Sequence, residues 1–131
     1  MYNNKKPLLH SEITDKILNA FYFVSNKLGY GFLEKVYENA LVIKLREFDL
    51  KVIQQKNIKV FFEGKVVGDY FADLIINDKV IVELKVAENL CDEHYYQLVN
   101  YLKATNKEVG LLLNFGKEPQ FKRAIFTNDR K

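Results

Sequence analysis

The chain has 131 residues, a formal net charge of +3 and a single cysteine, and these totals exclude several classes of protein. The length is that of one ordinary domain, and 48% apolar residues suffice for a core without disulfides or a structural metal. Cys91 alone can form no internal disulfide, which favours a reducing, cytoplasmic location. No apolar run approaches the roughly 18 residues of a membrane span, so no membrane partner is expected. The small basic excess permits nucleic-acid binding but does not by itself indicate it.

The predicted elements begin with two helices. Residues 1–10 carry no periodic pattern and are predicted to be a flexible N-terminal arm. Apolar residues then recur at every third or fourth position over 11–28, with Ser11 as the expected N-cap and Gly29 as the residue that ends the helix. After a Gly-Tyr-Gly break, the same periodicity predicts a second helix over about 32–48.

The apolar period then changes to two, which predicts strands. The later elements are expected to be one or two strands in 51–64, strands at 65–77 and 79–86, a helix at 92–106, and strands at 109–116 and 121–126. This order, α-α-β-β-β-α-β-β, describes one α/β domain over residues 11–131, with a mixed sheet flanked by helices. Gly68 is expected to form a bulge, and the third helix should connect its two neighbouring strands in parallel by a right-handed crossover.

The hairpin of residues 71–86 places two carboxylates together. Keeping the apolar positions of both strands on one face requires Ile76 to pair with Val80 across a three-residue loop. The same register puts Asp73 opposite Glu83, with Cβ atoms roughly 5 Å apart, and Lys85 on the same face. Such a pair is mutually repulsive and raises one pKa, whereas a bound divalent cation would relieve both effects. Ligands that are oxygen atoms only favour Mg²⁺ or Mn²⁺ over zinc.

An alternative keeps this register without a metal. Asp73 and Glu83 could lie on a solvated sheet face, with Lys85 as their salt-bridge partner across the strands. The neighbours Ile75 and Ile81 on that face are apolar, and helices flank the hairpin in the chain, so the face is not plainly exposed to solvent.

Two helices carry polar residues that could join the pair. Glu34 and Glu38 share one side of the second helix, where the alternative is an ordinary acidic first turn. Gln97 and Tyr101 share a polar strip of the third helix with His94, and the alternative is a boundary strip half in water. The chain has only two histidines, His10 and His94, and no phosphate-binding glycine loop, which argues against a Ser-His-Asp triad or a nucleotide-binding fold.

These residues resemble the motifs of a known group of nucleases. Asp73, followed by Glu83-Leu84-Lys85 on the next strand, resembles the active-site core of the PD-(D/E)xK nuclease superfamily, although Ala72 stands where proline is expected. The segment from Gly31 to Tyr37 resembles the motif of the GxxExxY family, a small bacterial and archaeal branch of that superfamily. The segment 97–101 resembles the QxxxY motif of the RecB-like nucleases.

The resemblance implies a restriction-endonuclease-like core and a metal site. Asp73 and Glu83, with the backbone carbonyl of Leu84, would hold Mg²⁺ or Mn²⁺. Glu34 would be a further ligand of the metal or of its water.

The resemblance also implies roles for residues around the metal. Lys85 would orient the attacking water and balance charge. Gln97 and Tyr101 would brace the site or contact the phosphate, and Tyr37 and Glu38 would support the ligands from behind.

The function implied is metal-dependent phosphodiester hydrolysis, on DNA in repair, recombination or defence. One alternative is a non-catalytic domain of nuclease fold that binds nucleic acid or a protein partner, but the intact Asp73, Glu83 and Lys85 favour an enzyme. A third hypothesis is an enzyme of the same scaffold with another phosphate-containing substrate. A homodimer or a larger protein complex is also predicted as a setting in which so small a domain would act.

Overall fold

The structure, a computed structural model, describes residues 8–131 and contains the predicted elements in the predicted order. Residues 1–7 of the predicted flexible arm lie outside the described residues, and residues 9 and 10 form a turn that leads into the first helix. Among residues 8–131, no helix is long and apolar enough to cross a membrane. The elements are α1 (Ser11–Leu28), α2 (Glu34–Glu47), β1 (Val52–Phe62), β2 (Lys65–Ile76), β3 (Val80–Lys85), α3 (Asp92–Lys103), β4 (Val109–Asn114), β5 (Gln120–Ile125) and a terminal 3₁₀ helix (Asn128–Arg130).

The strands form one five-stranded mixed sheet in the order β1-β2-β3-β4-β5. β3 and β4, which α3 connects, are parallel, and the other neighbouring pairs are antiparallel. The α/β fold predicted from the sequence, a mixed sheet flanked by helices, is therefore confirmed. A register shift next to Gly68, where Val60 pairs with Gly68 but Phe61 pairs with Val66, confirms the predicted bulge.

Each face of the sheet carries its own apolar cluster, because the strands alternate their side chains between the two faces. α1 and α2 cover one face and α3 covers the other. The first cluster includes Phe21, Leu41, Leu74, Ile76, Val82 and Leu113. The second cluster includes Ala72, Ile75, Ile81, Leu98, Leu102 and Leu112.

The helix ends correct one prediction and refine another. The N-cap of α1 is His10, whose φ of 57° is left-handed, so the prediction of Ser11 as the N-cap was wrong. Gly29 ends α1 as predicted, and its φ of 71° suits a residue without a side chain. α2 begins at Glu34 and not at residue 32, because Gly31 (φ 117°) and the extended Leu33 precede it.

α3 approaches β4 closely because Gly110 has no side chain. A Cβ atom at Gly110 would lie 2.7 Å from Cδ1 of the buried Leu98. We therefore expect Gly110→Ala to push α3 outward and to lower the free energy of unfolding by roughly 1–3 kcal/mol, measured by urea denaturation. In a Leu98→Ala background the same change should cost clearly less, and equal costs in the two backgrounds would contradict this packing.

Candidate metal and catalytic site

The hairpin between β2 and β3 has the predicted register. Ile76 pairs with Val80 and Leu74 pairs with Val82, so the loop is the three-residue loop expected from the apolar pattern. Inside it, Asn77 and Asp78 both adopt a positive φ, and the chain closes where Lys79 N–H donates to the carbonyl of Ile76 at 2.9 Å. Two consecutive left-handed residues are typical of tight hairpin turns, in which Asn and Asp are favoured.

Regular pairing of β2 with β3 stops at Leu74 and Val82. Beyond this point, hydrogen bonds to two side-chain carboxylates take the place of the backbone hydrogen bonds. The backbone N–H of Asp73 donates to Oε1 of Glu83 at 3.0 Å. In return, the backbone N–H of Leu84 donates to Oδ2 of Asp73 at 2.8 Å. The two acidic side chains are thus brought together at the point where the strands separate, and each one satisfies a backbone amide of the opposite strand.

The alternation of β2 breaks at the same point. Leu74 belongs to the cluster under α1 and α2, whereas Ala72 belongs to the cluster under α3, although the two residues are two positions apart. On β1, the residue between the partners of Ala72 and Leu74 is Gln55, whose φ of 52° is unusual for a strand residue. Asp73 therefore lies at a local twist of the β1–β2 hairpin.

Glu83 is only 5% exposed, and this burial controls its ionisation. Burial, followed by the negative charge of Asp73, raises the pKa of Glu83 to about 9. The backbone hydrogen bond from Asp73 and the charge of Lys85 act in the opposite direction but do not prevail. Without a cation, Glu83 therefore holds a proton at neutral pH.

Lys85 is half-buried on the same strand and forms no salt bridge with any residue from 8 to 131. Within residues 8–131, its Nζ has no carboxylate oxygen within 4.0 Å. The alternative of a solvated face with Lys85 in a cross-strand salt bridge is therefore wrong, because Glu83 is buried and Lys85 is unpaired among these residues. The charge of Lys85 still lowers the pKa of both Glu83 and Glu34 as a secondary influence.

Glu34 approaches the pair from the first turn of α2. α2 packs on the sheet face opposite to α3, so the carboxylate face is covered by α3 and not by the helix that carries Glu34. Even so, the pKa of Glu34 is raised, mainly by burial and next by the charge of Asp73. The N-terminal end of α2 therefore interacts electrostatically with the Asp73–Glu83 pair.

Glu38, one turn further along α2, is buried and connects to the site through glutamines. It accepts hydrogen bonds from Nε2 of Gln54 at 2.9 Å and from Nε2 of Gln55 at 3.1 Å, and it pairs with Lys35 at 3.0 Å. Nε2 of Gln55 also lies 3.4 Å from Oδ1 of Asp73. Gln55 therefore bridges Glu38 and Asp73, a connection that the sequence analysis did not find.

Gln97 and Tyr101 form a hydrogen-bonded pair on the side of α3 that faces the sheet. Nε2 of Gln97 donates to Oη of Tyr101 at 3.0 Å. Tyr101 is buried, and burial followed by the charges of Glu83 and Asp73 raises the pKa of Tyr101 to about 12. His94 of the same strip instead accepts a hydrogen bond from the N–H of Cys91 at the start of the helix.

Tyr37 is fully buried and fixes the loop that precedes α2. Its Oη donates to the carbonyl of Gly29 at 2.5 Å and accepts from the N–H of Phe32 at 3.3 Å. Its ring stacks on Phe115 at 4.6 Å between centroids. Tyr37 thereby sets where α2 begins, and hence where Glu34 lies.

The two carboxylates of the site are suitable ligands for a cation that prefers oxygen. Within the described residues, no three His, Cys, Asp or Glu side chains lie close enough together to hold a metal ion, so Glu34 does not join Asp73 and Glu83 in a ready-made cluster. Mg²⁺ commonly binds proteins through one or two carboxylates and keeps several of its waters. Asp73 and Glu83 could supply these two carboxylates. Among residues 8–131, no histidine or cysteine lies beside the pair to favour zinc.

Comparisons with known proteins agree with this fold. Among solved structures, the crystal structure of SSO0001 has a TM-score of 0.57 and 21% identity, over 89% of this chain and 59% of that one. This likeness is one of fold, and the chain spans well under two thirds of that protein's length. No curated protein matches the sequence significantly. The sequence profile of the PD-(D/E)XK nuclease superfamily matches residues 11–124, and the chain therefore belongs to that superfamily.

Proposed function

We propose that this protein is a metal-dependent nuclease that hydrolyses phosphodiesters, with DNA as its substrate in repair, recombination or defence. The observation that carries the proposal is the close pair of the half-buried Asp73 and the buried Glu83, beside a Lys85 that has no salt-bridge partner among residues 8–131. A carboxylate pair in which one member is forced to keep a proton is costly to maintain, and a divalent cation would relieve that cost. The GxxExxY and QxxxY motif resemblances support the same assignment.

Asp73 and Glu83 are the proposed ligands of Mg²⁺ or Mn²⁺, with the backbone carbonyl of Leu84 as a third donor. When bound, such a cation would lower the pKa of a water and neutralise charge on the phosphate. The hydrogen bonds from the backbone of the opposite strand fix both carboxylates in place. Glu38 and Gln55 extend that support to Asp73 from the side of α2.

Lys85 and Glu34 are proposed to orient the attacking water and to assist its deprotonation. The ammonium group of Lys85 donates to that water and favours its deprotonated form. Glu34, whose raised pKa brings its titration nearer to neutral pH, can accept a proton from the same region.

Gln97 and Tyr101 are proposed to contact the phosphate. Because Oη of Tyr101 accepts from Gln97, its own O–H hydrogen is available to a substrate oxygen. The pKa of Tyr101 near 12 ensures that this hydrogen is retained at working pH.

The test is cleavage of single-stranded, duplex and branched DNA, and of RNA, in Mg²⁺ or Mn²⁺. We expect cleavage that EDTA stops and that Glu83→Gln, purified in parallel, has lost. Calorimetric titration with Mn²⁺ should show binding that Asp73→Asn weakens strongly, because one of two ligand carboxylates is removed. Equal cleavage by wild type and Glu83→Gln would assign the activity to a contaminant. Salt-sensitive binding without any cleavage would favour a non-catalytic domain.

A further inference from the structure

A groove of about 870 Å³ lies between α3 and the outer half of the β1–β2 hairpin. Phe61 and Tyr70 line it from the hairpin, and Tyr96, Gln97 and Tyr101 line it from α3. Gln97 and Tyr101 therefore belong both to this groove and to the proposed phosphate contacts. Tyr101 also feels the charges of Glu83 and Asp73, which raise its pKa, so this end of the groove lies near the candidate catalytic site.

The groove displays aromatic rings to solvent. Phe61 is 61% exposed and Tyr96 is 60% exposed, so both rings are accessible to a ligand in the groove. Two of the tyrosines in the groove pack against neighbouring rings. Tyr96 stands edge-on to Tyr95 at 6.2 Å between centroids, and Tyr70 packs on Tyr101 at 5.8 Å.

The bulge in the hairpin builds this aromatic wall. Val60 and Phe61 are consecutive yet both line the groove, which regular alternation would not allow. The register shift falls between these two residues and explains it, because a bulge re-aims the side chains around it. Gly68 leaves room for the ring of Tyr70 in this wall, because a Cβ atom at position 68 would lie 2.8 Å from Cε2 of Tyr70.

The polar groups of the groove suit bases better than phosphates. His94 and Asn100 supply an imidazole ring and an amide, which can pair with the edges of bases. Among the lining residues there is one lysine, Lys103, and one acidic residue, Glu93. The net charge of the groove is therefore close to zero. Electrostatic attraction to a phosphate backbone is therefore weak here.

We propose that this groove binds an unpaired, single-stranded segment of nucleic acid, with bases stacked on Phe61 and Tyr96 and the strand leading past Tyr101 to the carboxylates. Duplex bases already stack on each other, so only unpaired bases can use these rings, and base–aromatic stacking is tolerant of sequence. The proposal rests on the proposed nuclease function and names its substrate class as single strands or unpaired ends. DNA and RNA strands share the base chemistry involved.

The test is fluorescence anisotropy with labelled single-stranded DNA, single-stranded RNA and duplex DNA, in EDTA so that binding is measured without cleavage. Phe61→Ala and Tyr96→Ala should each weaken single-strand binding roughly tenfold and leave duplex binding nearly unchanged. Phe62→Ala and Tyr30→Ala are matched controls, because these rings are 64% and 49% exposed but do not line the groove. Circular dichroism melting should show that all four variants remain folded.

The outcomes separate this proposal from the proposed function. Unchanged single-strand binding in both groove variants, or equal losses in the controls, would overturn the groove assignment even if wild type cleaves DNA. Loss of single-strand binding in the groove variants, with no cleavage by wild type in any metal, would retain the groove and refute the nuclease. The DNA and RNA arms decide which strand is preferred. Equal loss of duplex and single-strand binding would overturn the stacking mechanism.

Discussion

Glu83→Gln is expected to stabilise the metal-free protein at pH 8 by several kcal/mol and to leave its stability near pH 4.5 almost unchanged. The folded protein keeps the Glu83 proton up to about pH 9, whereas the unfolded chain releases it near its ordinary pKa of 4.5. Wild type therefore loses stability as the pH rises between these two values, since one pKa unit corresponds to about 1.4 kcal/mol. Glutamine imitates the protonated acid: its oxygen still accepts from Asp73 N–H, and it has no proton to lose.

Urea denaturation in EDTA at pH 4.5, 6.5 and 8 measures this effect. Glu118→Gln, which removes the same charge at an exposed position, is the matched control and should follow wild type across the range. Adding Mg²⁺ at pH 8 should stabilise wild type more than Glu83→Gln, because only wild type retains both ligand carboxylates. A benefit of Glu83→Gln that is the same at all three pH values would show that Glu83 is not protonated in the folded state.

Lys85→Met is expected to reduce cleavage by about 100-fold or more while Mn²⁺ binding survives. Methionine preserves the length and packing of the side chain but removes the ammonium group, and proton management of this kind contributes roughly 10²- to 10⁴-fold to rate. Lys85 supplies no oxygen donor, so the cation retains its carboxylates. Loss of this positive charge raises the pKa of Glu83 and Glu34 further, so metal affinity should fall near neutral pH and recover as the pH is raised.

Initial cleavage rates and calorimetric Mn²⁺ titrations at pH 7 and pH 9 separate the two effects. Lys79→Met, at an exposed position in the β2–β3 loop, is the control and should behave as wild type. Cleavage by Lys85→Met at the wild-type rate in saturating Mn²⁺ would remove Lys85 from the chemistry. Loss of metal binding at both pH values would instead make it a structural support of the carboxylates.

The sequence was sufficient to predict the hairpin that brings the site together. Burying Leu74 and Ile76 with the valines of β3 leaves a single sensible register, and the structure confirms it. The connection of β3 to β4 through a helix likewise predicted that these strands are parallel. Both predictions rest on the same physical constraint, since an apolar strand face has to be buried and a one-residue slip would expose it.

The surroundings of the pair could not be predicted in the same way. Period-2 reasoning assumes an even strand, but the twist at Asp73 sends Ala72 and Leu74 to different clusters. Gln55 owes its position to a left-handed φ that no propensity favours for glutamine. Its bridge between Glu38 and Asp73 could therefore not be predicted from the sequence. The one available signal was two adjacent glutamines on the strand that follows the helix carrying Glu34 and Glu38.

The reciprocal hydrogen bonds between the two strands at Asp73 and Glu83 restrict how this protein could lose the proposed activity in evolution. An alanine at either position would remove a proposed metal ligand and also leave a backbone amide without its acceptor. Asparagine or glutamine would keep the acceptor and lose only the charge. An inactive descendant of this chain should therefore carry an amide, rather than a small apolar residue, where the acid once stood.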